Sequence, residues 1–163
     1  MSGELAFVSC TVNGVAREFH VRAEDMLIDV LRDRLALTGA KLSCDLGARG
    51  TCTVLMDDKP VSSCSTFAWQ AGGSEIRTVE GLAGADGTLD PVQQAFVDNS
   101  AFQCGYCTPG MIMLARALLD HDPSPDRDAI RAWMGANICR CTGYEMIIEA
   151  VENAAAASQE ARK

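Results

Sequence analysis

The placement of eight cysteines is the feature that most constrains this 163-residue chain. Their number is low for a disulfide-stapled scaffold and high for an ordinary intracellular protein. No basic stretch precedes the short apolar run at the N-terminus, and neither a twin-arginine pair nor a membrane-length apolar run occurs. We therefore expect a cytoplasmic protein, in which clustered cysteines bind metals or catalyse reactions more often than they form disulfides.

The charge balance argues against two classes of partner. The chain has 14 basic and 22 acidic residues, which give a net charge of −8. Nucleic acids and anionic membrane surfaces both attract basic faces, so we expect neither as a partner. With 48% hydrophobic residues, the chain can bury a core.

The first part of the chain has the pattern of a β-hairpin. Two runs rich in hydrophobic residues, 5–12 and 15–21, flank Asn13 and Gly14. Both of these residues accept the positive φ of a type I′ turn, which makes Asn-Gly the strongest short hairpin signal.

One helix and further strands follow this hairpin. Leucines spaced four apart predict a helix over residues 25–37, with Gly39 as its C-terminal stop. A loop with glycines and cysteines occupies residues 40–51. Strands are predicted at 52–57, 59–62 and 75–79. This order predicts a small mixed sheet with one helix packed on it, an α+β unit.

The second half of the chain has the pattern of helices, after a glycine-containing linker at 81–87. Three predicted starts combine a capping side chain with a following proline: Asp90-Pro91, Thr108-Pro109 and Ser124-Pro125. A fourth helix is predicted from Thr142 through the alanines at 154–157, with fraying over 158–163. Four short helices predict an antiparallel four-helix bundle.

Four cysteines of this half form a two-plus-two set. They are Cys104 and Cys107 in C-x-x-C, and Cys139 and Cys141 in C-x-C. Each pair precedes a predicted helix N-terminus, whose free N–H groups and positive dipole end stabilise an anionic thiolate–metal centre. Structural zinc sites usually leave two to four residues between paired cysteines, whereas a 2Fe–2S cluster accepts four cysteines and gives the site a redox purpose.

A second set has only three cysteines: Cys44, Cys52 and Cys64. Plant-type 2Fe–2S proteins use C-x₄-C-x₂-C and then a distant fourth cysteine. Counted from Cys44, this spacing calls for cysteine at positions 49 and 52, but position 49 holds Arg49. Gly47 and Gly50 suit a loop whose backbone approaches a cluster closely.

The sequence around both sets resembles one known family. The matching stretches are A-K at 40–41, C-x-x-G at 44–47, G-x-C-T-V-L at 50–55, Q-C-G-Y-C-T-P-G-M-I at 103–112 and C-R-C-T-G-Y at 139–144. They are similar to motifs of the small iron–sulfur subunit of molybdenum hydroxylases, the xanthine oxidase and carbon monoxide dehydrogenase family. The resemblance covers residues 5–155, nearly the whole chain.

The resemblance implies both an architecture and a function. Residues 1–81 would form a β-grasp, plant-ferredoxin-like domain, and residues 88–163 a four-helix domain with a 2Fe–2S cluster on its four cysteines. Gln103 and Cys141 would contact the molybdopterin of a large catalytic subunit. The chain would pass electrons from that molybdenum site to a FAD-binding medium subunit or to an external acceptor.

Three positions depart from the family's pattern. Members usually have cysteine at position 49, glycine in place of Ser43 and histidine in place of Asp90. Arg49 matters most, because a guanidinium stays protonated and is a very poor metal ligand. The N-terminal cluster is then lost, or it persists with a substitute ligand. The candidate substitutes are Asp45, Thr51 and Cys10. We favour a lost or labile cluster.

Alternatives remain for each feature. The alternative for the helical set is a structural zinc knot. For the whole chain it is a free-standing ferredoxin-like or zinc-binding interaction module without catalytic partners. We expect Cys10 to be a buried thiol, because it alternates with Val8 and Val12 on a strand. His20 and His121 have no partner at metal-binding spacing.

Overall fold

A five-stranded mixed sheet forms the first half of the computed structural model, which describes residues 5–160. Its strands are β1 (Ala6–Val12), β2 (Val15–Val21), β3 (Thr53–Met56), β4 (Lys59–Ser62) and β5 (Glu75–Arg77). Their order is β2-β1-β5-β3-β4, with β1 and β5 parallel and the other neighbours antiparallel. The predicted α+β class is confirmed for this part of the chain.

Two tight turns fix the register of the sheet. Asn13 and Gly14 join β1 to β2 with φ values of 50° and 76°, which confirms the predicted hairpin. Asp57 and Asp58 join β3 to β4 with φ values of 50° and 63°. Alternate residues of β1 point into the core as a result, and Cys10 is among them, as expected.

The helix of the first half is shorter than predicted. α1 spans only Leu27–Asp29 and continues as a π-helical turn over Val30–Arg34. Gly39 is therefore not its stop, and the chain leaves the turn through Ala36, which has a φ of 56°. Arg32 favours this early ending, because its guanidinium donates to two carbonyl oxygens of the following loop at 2.9 and 2.7 Å.

Four helices make up the second half. They are α2 (Pro91–Asp98), α3 (Thr108–His121), α4 (Arg127–Met134) and α5 (Glu145–Glu160). α5 packs on α2 and α4, and α3 packs on α2 and α4, around a core of buried aliphatic residues and methionines. Within residues 5–160, none of the helices has the length and apolar character that crossing a bilayer requires.

Two of the first three helix starts in this half differ from the predictions. Asp90 caps α2 as predicted, accepting a backbone N–H at 2.8 Å. The residue before α3 is Cys107 rather than Thr108, so the thiol itself lies at the helix N-terminus. Asp126 rather than Ser124 caps α4, because its carboxylate accepts a backbone N–H of the first turn at 2.8 Å.

The predicted start of α5 is also wrong. Gly143 and Tyr144 have left-handed φ values of 64° and 71°, so the helix begins at Glu145 rather than at Thr142. α5 then runs to Glu160, and the predicted fraying is wrong for residues 158–160; residues 161–163 lie outside the described part of the chain.

The sheet and the helices meet in one close contact. Leu55 of β3 packs against Met113 and Ala117 of α3. At the start of α3, a Cβ on Gly110 would lie 2.2 Å from the carbonyl oxygen of Gly50. Glycine at position 110 is therefore required by the approach of two backbones.

A chain of ion pairs borders the same contact. Arg77 of β5 binds Asp58 at 2.6 Å and Asp120 of α3 at 3.0 Å. Arg116 in turn binds Asp120 at 2.9 Å and lies 3.6 Å from Asp90, the cap of α2. The aspartate at position 90 thus has a structural role of its own, as a helix cap and an ion-pair partner.

We predict that Gly110→Ala destabilises the fold by about 1–3 kcal/mol, because neither backbone can move away without disturbing β3 or α3. The measurement is the free energy of unfolding of the full chain in urea. Gly72→Ala is the matched control, since Gly72 has an ordinary φ of −58° and its Cβ would lie 3.4 Å from the nearest atom. Equal stability of the two variants would contradict this account of Gly110.

Candidate iron–sulfur sites

The four cysteines of the helical half meet in two pairs at one cavity. The Sγ atoms of Cys104 and Cys141 are 3.6 Å apart, and the thiols of Cys107 and Cys139 lie close enough to shift each other's pKa. All four line a cavity of about 530 Å³. The structure thus brings together the complete set that the two sequence motifs single out.

Paired thiols fit a binuclear cluster better than a single ion. Across residues 5–160, no group of three or more His, Cys, Asp or Glu side chains is arranged to hold one metal ion. Two thiolates on one tetrahedral metal, with bonds of about 2.3 Å, lie about 3.7 Å apart. The separation of Cys104 and Cys141 matches this value, so this pair suits one iron of a 2Fe–2S cluster. Cys107 and Cys139 line the same cavity and are available to the other iron.

The inner pair of thiols, Cys107 and Cys139, has pKa values that its surroundings shift in opposite directions. Burial raises the pKa of Cys107 to about 12. Burial also acts to raise the pKa of Cys139, but hydrogen bonds from the hydroxyl and backbone N–H of Thr142 outweigh it and lower that pKa. The Thr142 hydroxyl donates to the Cys139 Sγ at 3.1 Å. Thr142 therefore stabilises the thiolate, the form that binds iron.

The outer pair of thiols, Cys104 and Cys141, lies at the surface of the protein. Cys104 and Cys141 are exposed, and so is Gln103 beside them. The hydrogen bond between the two thiols raises the pKa of Cys141. Since this edge of the site is open, a group on another chain can reach it.

Two hydroxyl groups support the cysteine loops. The Tyr144 hydroxyl accepts the N–H of Cys139 at 3.0 Å and donates to the carbonyl oxygen of Asn137 at 2.8 Å. The hydroxyl of Thr108, next to Cys107, is buried and has no partner among the residues the structure describes. A buried hydroxyl without a partner beside a thiol is a donor available to cluster sulfur, so the residues present fit a 2Fe–2S cluster here.

Asn137 is the functional residue that sequence patterns did not indicate. Its side chain is buried, and its amide donates to the Gly110 carbonyl oxygen at 3.0 Å and to the Thr53 hydroxyl at 3.2 Å. A Cβ on Gly50 would lie 1.5 Å from its Oδ1. Position 50 therefore requires glycine, because Asn137 fills the space that a side chain would occupy. The Asn137 amide also links the first half of the chain, through Thr53, to the second half, through Gly110.

The second set of cysteines, at positions 44, 52 and 64, contains one close pair and a third thiol. Cys52 and Cys64 are buried with their Sγ atoms 3.4 Å apart. Burial raises the pKa of Cys64 to about 11, although the N–H of Gly47 donates to its sulfur. The third thiol is that of Cys44, whose pKa is lowered by backbone N–H groups, that of Leu46 first.

Arg49 occupies the position from which a partner thiol for Cys44 would be expected. Its Nη1 donates to the carbonyl oxygen of Ser43 at 3.2 Å, and its side chain lines the cavity of the helical thiols. Three thiols and a permanent cation do not fit a four-cysteine 2Fe–2S cluster.

Two protein families match the chain. The family described as "[2Fe-2S] binding domain" matches residues 78–152, and the family described as "2Fe-2S iron-sulfur cluster binding domain" matches residues 10–81. The chain therefore matches two families of iron–sulfur type, and the two matches meet at residues 78–81.

Curated relatives align over most of their own length. The nicotine 6-hydroxylase small subunit of Paenarthrobacter nicotinovorans is 47% identical over 147 residues, which are 90% of this chain and 88% of that protein. The nicotinate dehydrogenase small FeS subunit of Eubacterium barkeri is 44% identical, over 90% of this chain and 93% of that protein.

Two solved structures have the same fold as this chain. Quinoline 2-oxidoreductase from Pseudomonas putida 86 superposes with a TM-score of 0.91 at 44% identity, and the match covers 98% of both chains. Aldehyde oxidoreductase from Desulfovibrio desulfuricans superposes with a TM-score of 0.90 at 42% identity, over 94% of this chain but 17% of that one. The chain belongs to the family of iron–sulfur small subunits of molybdenum hydroxylases. It is an electron-transfer subunit of an oxidoreductase.

We predict that Asn137→Ala lowers the free energy of unfolding of the full chain by about 1–3 kcal/mol, because the Gly110 carbonyl oxygen is left buried without a donor. Urea unfolding followed by circular dichroism measures the change. Asn153→Ala is the control, since Asn153 is exposed and bonds only to Asn99 at the surface. A loss no larger than that of the control would contradict the central place of Asn137.

Proposed function

We propose that the helical domain, residues 88–163, binds one 2Fe–2S cluster through its four cysteines and relays electrons from a molybdopterin site on a separate large subunit. Cys104 and Cys141 would hold one iron, and Cys107 and Cys139 the other. The observation that carries this proposal is that all four cysteines line a single cavity, with the Sγ atoms of Cys104 and Cys141 3.6 Å apart. The four helices of this domain are proposed to be the bundle that the sequence predicts.

The first domain, residues 1–81, is proposed to be the β-grasp, plant-ferredoxin-like unit. Its sheet order and the helix that crosses the sheet support this assignment. The ends of the two family matches, near residue 80, support a boundary in the glycine-containing linker. Leu55 of β3 packs on α3, so the two proposed domains are in contact.

The protein's own residues prepare the helical site for its cluster, which when bound supplies one-electron transfer. Thr142 stabilises the Cys139 thiolate, and Tyr144 fixes the backbone N–H of the same residue. Thr108 offers a hydroxyl at the buried side of the site. Hydrogen bonds to sulfur and partial burial are the factors by which a protein sets the reduction potential of such a cluster.

The exposed edge of the site is proposed to face the large subunit. Gln103 and Cys141 would contact its molybdopterin, and both are accessible. Apolar side chains around this edge are also exposed, namely Phe102, Tyr106 and Ile138. In the aldehyde oxidoreductase of Megalodesulfovibrio gigas, the matching segment is 16% of a longer chain, which supports a tight association with further domains. A FAD-binding medium subunit is the proposed electron acceptor.

All eight cysteines are free in the described structure. Close thiol pairs, of which Cys52 and Cys64 are buried, suit a compartment that keeps thiols reduced, and we propose the cytoplasm. A free-standing ferredoxin or zinc module is not favoured, because the named relatives are subunits of larger oxidoreductases.

We predict that Cys104→Ser abolishes the 2Fe–2S signal of the helical domain in electron paramagnetic resonance and reduces steady-state turnover of the complex to background. Serine leaves one iron without its second thiolate. Cys10→Ala is the control, because Cys10 is buried in the sheet core and touches neither thiol set; this variant should keep the signal and the turnover. Unchanged turnover in Cys104→Ser would refute the electron route through this site.

A further inference from the structure

The side chain at position 49 belongs to the helical-domain cavity. Arg49 lines that cavity beside all four of its thiols, although it is encoded in the cysteine loop of the first domain. Its backbone is fixed there too, because its carbonyl oxygen accepts the N–H of Ile138, the residue before Cys139, at 3.0 Å. The guanidinium donates to the carbonyl oxygen of Ser43, a residue that also lines this cavity.

Among residues 5–81, none of the three candidate substitutes is placed to replace the thiolate missing at position 49. Thr51 is committed elsewhere, since its hydroxyl donates to the Lys41 carbonyl oxygen at 2.8 Å and pairs with the Ser43 hydroxyl at 2.9 Å. Asp45 is exposed and, within residues 5–160, joins no three-membered metal-binding group with the thiols. Cys10 lies in a separate core cluster from that of Cys52 and Cys64.

The remaining thiols can serve one iron only. Cys52 and Cys64, 3.4 Å apart, have the separation of two ligands on a single iron. The second iron of a binuclear cluster would have Cys44 alone, with a cation in place of the other ligand.

We propose that Arg49 is a charge-compensating residue of the helical-domain site and not a ligand residue of the first domain, so that the chain assembles one 2Fe–2S cluster and keeps Cys44, Cys52 and Cys64 as free thiols. The inference rests on the proposed function, because it needs a cluster in the helical domain. A cluster on four thiolates is anionic, and reduction adds a further negative charge. Arg49, together with Arg140 on the same cavity wall, therefore favours the reduced state.

Metal content tests the number of clusters. Iron and acid-labile sulfide are measured per full-length chain, in the complex in which it purifies, and the reduced clusters are counted by spin integration in electron paramagnetic resonance. We expect one 2Fe–2S spin system in the native chain and two in Arg49→Cys, which supplies the missing thiolate. Arg49→Gln is the matched control; it removes the charge, adds no thiolate and should retain one.

The outcomes separate this inference from the proposed function. Two spin systems in the native chain, or a single one in Arg49→Cys, would overturn the inference and leave the proposed function standing. A native chain with zinc or with no 2Fe–2S signal at all would overturn the proposed function itself.

The reduction potential tests the electrostatic role. In a redox titration followed by electron paramagnetic resonance, Arg49→Gln should shift the midpoint of the helical-domain cluster to a lower potential. Arg131→Gln is the control, because Arg131 is also exposed but its guanidinium binds Asp128 on α4, away from the cavity. Equal midpoints in both variants and the native chain would show that Arg49 does not compensate the cluster's charge.

Discussion

The buried amide of Asn137 is the interaction on which the arrangement of this protein depends. It joins the start of α3 to the start of β3, and it fills the space that a side chain at Gly50 would need. The backbones of Gly50 and Gly110 can approach each other only because both residues lack a Cβ. A buried amide with its hydrogen bonds satisfied is rigid and costly to disturb, so the two cysteine-bearing loops are held at a fixed separation.

The chemistry of the helical site follows from small displacements of its helix starts. Cys107 lies at the N-terminus of α3, where burial outweighs the free N–H groups and the helix dipole and raises its pKa. The left-handed turn at Gly143 and Tyr144 delays α5 and leaves Thr142 free to bond to Cys139. An iron–sulfur site is thereby prepared by hydrogen-bond donors around an inner pair of thiols, while an outer pair stays accessible to a partner.

Much of this structure could be predicted from the sequence, for physical reasons. Asn13-Gly14 specifies a hairpin through its φ preference alone, and the paired cysteine motifs specify a four-thiol site through spacing. The length of α1 could not be predicted, because Arg32 ends it by bonding to carbonyl oxygens outside the helix. Asn137 carries no local signal, since its partners lie 27 and 84 positions away in the chain.

The role of Arg49 can be inferred only from the sequence and the structure together. The spacing of the cysteines identifies position 49 as a missing ligand, and the structure shows where the guanidinium lies instead. The most direct test of the account is an anomalous iron-scattering map from crystals of the complete complex. The account predicts iron between the paired thiols of the helical domain and none beside Cys52 and Cys64. Iron at both places would contradict it.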